Sequence, residues 1–296
     1  MLSVRKLTKE IAEKKAVILL RNVEDFLDEL PERPLFDLIV TSPPYDIGKP
    51  YEKKMPLEKY VKWQASIIKK IVVRLKAQGS ICWQVGNYVN DGAVRPLDIE
   101  LAPIFYKLGL KLRNRIVWTF GHGMHAKRRF SGRHETILWF TKGDDYIFNL
   151  DDVRIPSKYP GKRYYKGKHK GKLSGNPLGK NPEDVWNIPN VVGNHIEKTA
   201  HPCQFPVGLV QRLVRALTNS GGIVFDPFAG SASTAVAALT CDRKFIGTEI
   251  DAAYVKIAQE RIARALKGEE RFRPVDKPVY DHTMSNLSKR PTEWDT

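Results

Sequence analysis

Short apolar runs alternate along this chain with longer amphipathic stretches, and that alternation restricts the fold before any motif is considered. Residues 16–20 (AVILL), 35–41 (LFDLIVT), 80–85 (SICWQV), 223–226 (IVFD) and 244–249 (KFIGTE) have the length and apolar content of buried strands. Between them, residues 59–76 place Tyr60, Trp63, Ile67, Ile68, Ile71, Val72 and Leu75 at helical spacing with lysines on the other face, which predicts a helix stopped by Gln78-Gly79. Residues 97–108 predict a helix interrupted or kinked at Pro103. Residues 114–120 and 135–141 predict two strands that pair antiparallel across a long connection. Further on, residues 205–219 and the small-residue stretch 231–239 predict helices, and Asp251 caps a third whose inner face is Tyr254, Ile257, Ala258, Ile262 and Ala265. Strands alternating with helices imply an α/β, doubly wound, mostly parallel sheet covered on both faces. Ligands of such sheets bind at the carboxyl ends of the strands, so the residues just beyond each strand carry the functional information.

With 296 residues there is room for one large α/β domain, or one domain carrying an insertion. A 42% hydrophobic fraction is ample for a core and excludes a disordered or fibrous chain. No apolar run reaches the roughly 18 residues that cross a bilayer, and residues 1–15 lack a signal-peptide core, so no membrane partner is expected. The three cysteines, Cys82, Cys203 and Cys241, form no C-x-x-C pair, which leaves no zinc or disulfide framework and suits a reducing cytoplasm. His122, His125, His195 and His201 show no metal spacing, and no metal is expected.

The formal net charge of +16 calls for a polyanionic partner. Residues 111–133 hold seven Lys or Arg and no acid, and residues 154–182 hold nine and again no acid. The second window also carries five Gly and four Pro, with Tyr159, Tyr164 and Tyr165 among the bases, and reads as a loop-rich insertion that orders on nucleic acid. Lys127, Arg128, Arg129, Arg133, Lys162, Arg163, Lys166, Lys168 and Lys170 are the candidate DNA contacts. His134 beside them is better explained as a polar or phosphate contact than as a general base. From Arg271 onward the tail has no periodicity and is expected to be an exposed extension.

Two strand exits carry the chemistry. Phe225-Asp226-Pro227-Phe228-Ala229-Gly230-Ser231 follows a strand and opens a helix, where small residues admit a ligand to the backbone and free N–H groups. Glu249 ends the next strand, where an acid would hold an adenosine ribose. No G-x-x-x-x-G-K-[ST] accompanies the turn, so a P-loop nucleotidase is not supported. Thr41-Ser42-Pro43-Pro44-Tyr45 forms the other exit. Two prolines fix two φ values and leave rigid carbonyl acceptors; Ser42 adds a hydroxyl and Tyr45 a flat ring. That set can grip an exocyclic aromatic amine. Hydrogen bonds to both of its protons localise a lone pair that is otherwise delocalised into the ring.

In motif identity, order and spacing over about residues 16 to 266, the chain resembles the amino-group DNA methyltransferases in their β motif order. The motifs are the Thr41–Tyr45 turn, then the basic insertion, then His201-Pro202-Cys203-Gln204-Phe205-Pro206, then residues 226–234. The resemblance implies a circularly permuted Rossmann-like methyltransferase fold. Residues 16–145 and 198–266 would form the catalytic and cofactor domain, 146–197 a target-recognition insertion and 267–296 an extension. It implies S-adenosylmethionine as cofactor and double-stranded DNA as partner, in a prokaryotic cytoplasm where DNA associates the protein with the nucleoid. A homodimer and a restriction endonuclease partner are consistent with it. By position, Ser42, Pro43, Pro44 and Tyr45 would hold the target base. Asp226, Phe228, Gly230 and Ser231 would line the cofactor, Glu249 would take its ribose, and Cys203 and Phe205 would close the opposite wall. Serine before the prolines goes most often with cytosine N4, and adenine N6 is the alternative. Two positions depart from the family pattern: Ala232 stands where a second glycine is usual, and Arg21-Asn22 where Gly-Asp is common.

Three other readings compete. Pro202-Cys203-Gln204 looks like the nucleophile motif of cytosine-C5 methyltransferases, but there the glycine motif comes first. Methyltransferases acting on RNA or on a protein glutamine also carry the glycine motif first, with Asn before the prolines. A basic DNA-binding module with a degenerate cofactor site is the non-enzymatic alternative.

Overall fold

The computed structural model describes residues 9–11, 13–45, 55–90, 92–123, 125–281, 283, 285 and 288. Among these, eight strands form one sheet in the order β1-β10-β9-β2-β3-β7-β6-β8. The strands are β1 (Ala16–Leu20), β2 (Phe36–Thr41), β3 (Leu75–Val85), β6 (Lys111–Thr119), β7 (His134–Thr141), β8 (Val185–Asn187), β9 (Ile223–Asp226) and β10 (Lys244–Glu249). Only β7 runs against its neighbours, antiparallel to both β3 and β6; all other pairings are parallel. A small hairpin of β4 (Asn87–Asn90) and β5 (Ala93–Pro96) stands apart.

Because side chains alternate across a strand, a parallel sheet covered on both faces needs apolar residues at odd and even positions alike. Leu38, Val40, Val224 and Phe245 point to one core, shared with helices α4 (Val207–Leu217), α5 (Ser233–Thr240) and α6 (Ala252–Leu266). Phe36, Ile39, Phe225 and Ile246 point to the other, shared with α1 (Val23–Glu29), α2 (Leu57–Val72) and α3 (Leu97–Lys107). The doubly wound reading of the alternation is thus the observed architecture.

Several local expectations are corrected. Helix α2 ends at Val72, and Gln78-Gly79 lies inside β3. The β2–β3 register jumps from Phe36↔Leu75 to Leu38↔Ser80, so the intervening residues bulge. A Cβ on Gly79 would sit 2.9 Å from the Asp37 carbonyl oxygen, so this glycine serves close strand approach and not helix termination. Helix α3 runs through Pro103 without a break, anchored by buried Leu101 and Phe105 on either side. Within residues 146–197, β8 adds a strand to the main sheet beside β6. The tail from Arg271 onward is exposed over most of its described length, as expected, but Phe272, Arg273 and Val275 are half-buried. Phe272 and Val275 pack on the core, and the Arg273 N–H donates to the buried Glu197 carboxylate at 3.0 Å. Glu197 also accepts from the Val207 N–H at 2.9 Å, satisfying an orphan donor at the start of α4. Most of the extension beyond Asp281 lies outside the described residues.

Candidate functional site

Strands β9 and β2 are neighbours, yet β9 leads through α5 to β10 on one side and β2 leads through α2 to β3 on the other. This reversal opens a crevice at their carboxyl ends, the place where an open α/β sheet receives a ligand. A cavity of about 670 Å³ occupies it. Its wall contains Ser42, Pro43, Pro44 and Tyr45 from the exit of β2, together with Asp226, Phe228, Gly230, Ser231 and Glu249 from the exits of β9 and β10. Cys203 and Phe205 line it as well. Motifs as far apart in the chain as Ser42 and Glu249 therefore share one hollow, of a size typical for small-ligand sites.

The two strand exits are tied directly. The Thr41 hydroxyl donates to Asp226 Oδ1 at 2.5 Å, and the Thr234 hydroxyl donates to Asp226 Oδ2 at 2.6 Å. The Phe228 N–H adds a third bond at 3.1 Å. Burial nevertheless dominates, raising the Asp226 carboxyl to about 6. Glu249 accepts from the N–H groups of Gly230 at 2.9 Å, Ile250 at 2.8 Å and Asp251 at 2.9 Å, so the carboxylate braces the turn between β9 and α5. Three of its roughly four lone-pair positions are thereby used, which leaves room for one further donor. Burial also raises its pKa.

Gly230 has φ +52°, and a Cβ there would lie 2.9 Å from His201 Nε2. Only glycine meets both conditions without strain, and the bare backbone forms a cradle against the cavity. His201 Nδ1 accepts from the Cys203 N–H at 3.2 Å, and its ring stands edge-on to Tyr254 at 4.5 Å. Ala232, at the position that departs from the family pattern, caps α5 with φ +60°. A non-glycine residue thus holds the left-handed conformation here, which costs roughly 1–2 kcal/mol. Behind the turn the fully buried Arg261 donates to the Ser231 carbonyl at 2.8 Å and to Ser233 Oγ at 3.1 Å, with Glu270 at 2.7 Å as its counterion.

At the other exit the Tyr45 hydroxyl donates to Gln84 Oε1 at 2.8 Å and lies 3.3 Å from both Ser42 Oγ and Glu135 Oε2. Gln84 Nε2 in turn donates to Glu135. Burial, with the Glu135 charge adding to it, pushes the Tyr45 phenol well above its usual value, so it stays protonated and its ring is fixed.

Several cavity residues carried no motif signal. Gln84 is the next-to-last residue of β3, Trp118 lies near the end of β6, and Glu135 lies at the start of the reversed strand β7, so all three share the carboxyl edge of the sheet. Reading every strand end at that edge as a site position would have found them. Trp63, read as a core position of a helix, also lines the cavity, edge-on to Phe228 at 5.6 Å. Arg21 and Asn22 line it too; Asn22 accepts from the Glu24 N–H at 2.7 Å and Arg21 pairs with Glu29 at 2.6 Å. Asn190, Val191 and Val192, from the segment assigned to target recognition, complete the wall. None of the nine candidate DNA-contacting cations lines the cavity, and His134 is exposed outside it. Among the described residues no helix is long and apolar enough to cross a membrane, and no cluster of side chains could hold a metal ion.

Comparison with known proteins places this geometry in context. Residues 36–260 match the family described as N6_N4_Mtase, DNA methylase. The type II methyltransferase M.BglII of Bacillus subtilis is 52% identical over 237 residues, 80% of this chain and 66% of the relative, so the match takes in just under two thirds of that protein's length. The DNA adenine methyltransferase YhdJ of Escherichia coli (strain K12) is 32% identical over 276 residues, 90% of this chain and 89% of the relative. A Thermus thermophilus protein assigned as a DNA modification methylase, solved in complex with S-adenosyl-L-methionine, shares the fold with a TM-score of 0.61 and 25% identity. That similarity covers 85% of this chain and 94% of the other.

Proposed function

The chain belongs to the S-adenosylmethionine-dependent amino-group DNA methyltransferases, and from that premise we propose that it methylates the exocyclic N4 of cytosine in duplex DNA. The joint lining of one cavity by the Ser42–Tyr45 turn and the Gly230 turn carries the reading. A base amine held at the first turn faces a cofactor held at the second.

The chain's own groups fit that cofactor. Gly230 offers a side-chain-free cradle, Phe228 an apolar ring, and Glu249 one remaining acceptor position for a ribose hydroxyl. Asp226, Ser231, Cys203 and Phe205 line the same cavity. Bound S-adenosylmethionine supplies an electrophilic methyl on sulfur.

The remaining work is positioning. The Pro43 carbonyl and Ser42 Oγ accept the two amine protons, which frees the nitrogen lone pair to point toward the cofactor. Tyr45, immobilised by Gln84, stacks on the extruded base. The Glu135 carboxylate lines the cavity 3.3 Å from the Tyr45 hydroxyl, where its charge favours the positive charge that develops on the amine as its new bond forms. The amine proton then leaves to solvent, so no strong base is needed. Lys127, Arg128, Arg129 and Arg133 on the β6–β7 connection, with Lys162, Arg163, Lys166, Lys168 and Lys170 on the insertion, contact phosphates and give salt-sensitive binding. Extruding the base costs a few kcal/mol.

Ser42 favours cytosine N4, since serine at this position most often accompanies that target. The second reading, adenine N6, is supported by the name of the Escherichia coli relative. The type II relatives suggest a restriction-modification setting in a prokaryotic cytoplasm, with an endonuclease partner and a homodimer as further proposals. Mass spectrometry of nucleosides from DNA incubated with protein and cofactor decides. N4-methylcytosine is expected. N6-methyladenine replaces the first reading with the second. Unmodified DNA, with no cofactor binding at millimolar concentration, favours the non-catalytic DNA-binding module.

A further inference from the structure

The connection between β6 and β7 starts and finishes at the active cavity. Phe120, His122 and Gly123 line that cavity at one end, and Glu135 lines it just past the other. Within the connection the Ala126 N–H donates to Ser131 Oγ at 3.1 Å, closing residues 126–131 into a turn. Lys127, Arg128, Arg129 and Phe130 form that turn's outer part. Phe130 is 99% exposed, the most exposed large apolar side chain among the described residues.

A bare phenyl ring in water forgoes the burial that normally offsets its hydration, and nothing in the described chain covers this one. Its surroundings are cationic, with Lys127, Arg128, Arg129 and Arg133 within three residues on either side and no acid between them. Bases at such a turn engage phosphates, and a flat apolar ring between them matches the interior of a base stack. Apolar side chains inserted between base steps unstack and open a duplex, and extrusion of a base leaves a gap of the kind an aromatic ring fills.

We propose that Phe130 is a wedge that enters the duplex beside the target nucleotide and occupies the gap left by the extruded base, so that its burial offsets the loss of stacking. The proposal rests on the DNA-methyltransferase reading above and adds to it the residue that opens the substrate. Phe130 acts on the duplex, not on the reacting atoms.

The experiment compares wild type and Phe130→Ala on two duplex oligonucleotides that carry the sequence this protein methylates, as mapped on plasmid DNA. One is fully paired, and the other has a mispair at the target base. Phe130→Ala is expected to lower kcat/KM on the paired duplex by about 10- to 100-fold, and mispairing is expected to restore it to within about threefold of wild type. Phe130→Trp should retain most activity on both. Cofactor affinity and Tm should match wild type, because the ring touches no core residue. Equal losses on paired and mispaired duplexes, or no loss on the paired one, overturn the wedge. Absence of any wild-type methylation of the plasmid DNA used for the mapping overturns the DNA-methyltransferase reading itself, and the wedge with it.

Discussion

The crevice at the β9–β2 switch point and the basic surface loops differ in how they are held. In the crevice the polar groups at the strand exits are fixed by neighbours: Asp226 by Thr41, Thr234 and the Phe228 N–H, Glu249 by three backbone N–H groups, and Tyr45 by Gln84. The insertion between Arg154 and Lys180 is held by bonds within its own loops, among them the bridges Ile155↔Lys180 and Arg163↔Leu173 and the bond from the Arg163 guanidinium to the Gly171 carbonyl at 2.7 Å, and leaves Tyr159 and Tyr165 exposed. Methyl transfer depends on sub-ångström placement, which strand ends supply. Reading a polyanion needs charge on an adaptable surface, which loops supply. The difference implies that the two regions are separable: crevice substitutions should affect cofactor binding or turnover, and loop substitutions should affect DNA.

The largest effect that would break or support this separation is at Tyr45. Tyr45→Ala is expected to lower kcat by about 100- to 1000-fold while leaving the S-adenosylmethionine Kd within threefold, as read by single-turnover kinetics and calorimetry. Replacing Lys162, Arg163, Lys166 and Lys168 together by Gln should weaken duplex binding about 10- to 100-fold. It should also flatten the log K against log salt plot by up to about 0.9 per lost phosphate contact, with cofactor binding unchanged. A cofactor Kd that moves with this variant would show the regions to be coupled. Gly230→Val should weaken cofactor binding roughly 10- to 100-fold, since the new side chain meets both a left-handed backbone and the His201 ring, while DNA affinity stays as in wild type.

Asp226 sharpens the comparison through pH. Its carboxyl is raised from 3.8 to about 6 by burial, so the native state binds this proton more tightly than the unfolded chain. Its contribution to stability is therefore complete below about pH 4 and is lost as pH rises through about 6. Asp226→Asn removes that dependence. In urea titrations the stability difference should move in the variant's favour between pH 4 and 7, by an amount on the order of 1–3 kcal/mol. No movement would mean that the carboxyl titrates normally. The smallest effect is expected at Cys203, exposed in the cavity wall. Cys203→Ala should retain methyl transfer within about threefold, whereas complete loss would indicate a thiolate mechanism on cytosine C5.

The legibility of the chain in its sequence follows the same division. The strands at 16–20, 223–226 and 244–249 coincide with the observed β1, β9 and β10, because a parallel sheet covered on both faces needs consecutive apolar residues: Val224 and Phe245 enter one core, Phe225 and Ile246 the other. Gly79 misled the reading because a glycine required by close strand approach looks the same in sequence as one that ends a helix. The docked stretch at Phe272 and Val275 lacks periodicity because it is held by a groove beside Gly208, where a Cβ would meet the Arg273 carbonyl oxygen at 2.9 Å.

Taken alone, the amino-acid order determined the α/β alternation, the stiff proline turn, the glycine turn and the acid at the end of β10. Each of these is a local requirement of backbone conformation or burial, written within a few consecutive residues. Only the tertiary structure decided that Gln84, Trp63, Trp118 and Glu135 join them around one cavity, and that the reversal of β7 brings Glu135 to the same edge of the sheet as Ser42. Those neighbours come from strand order and direction, which long-range packing selects and no local sequence pattern records.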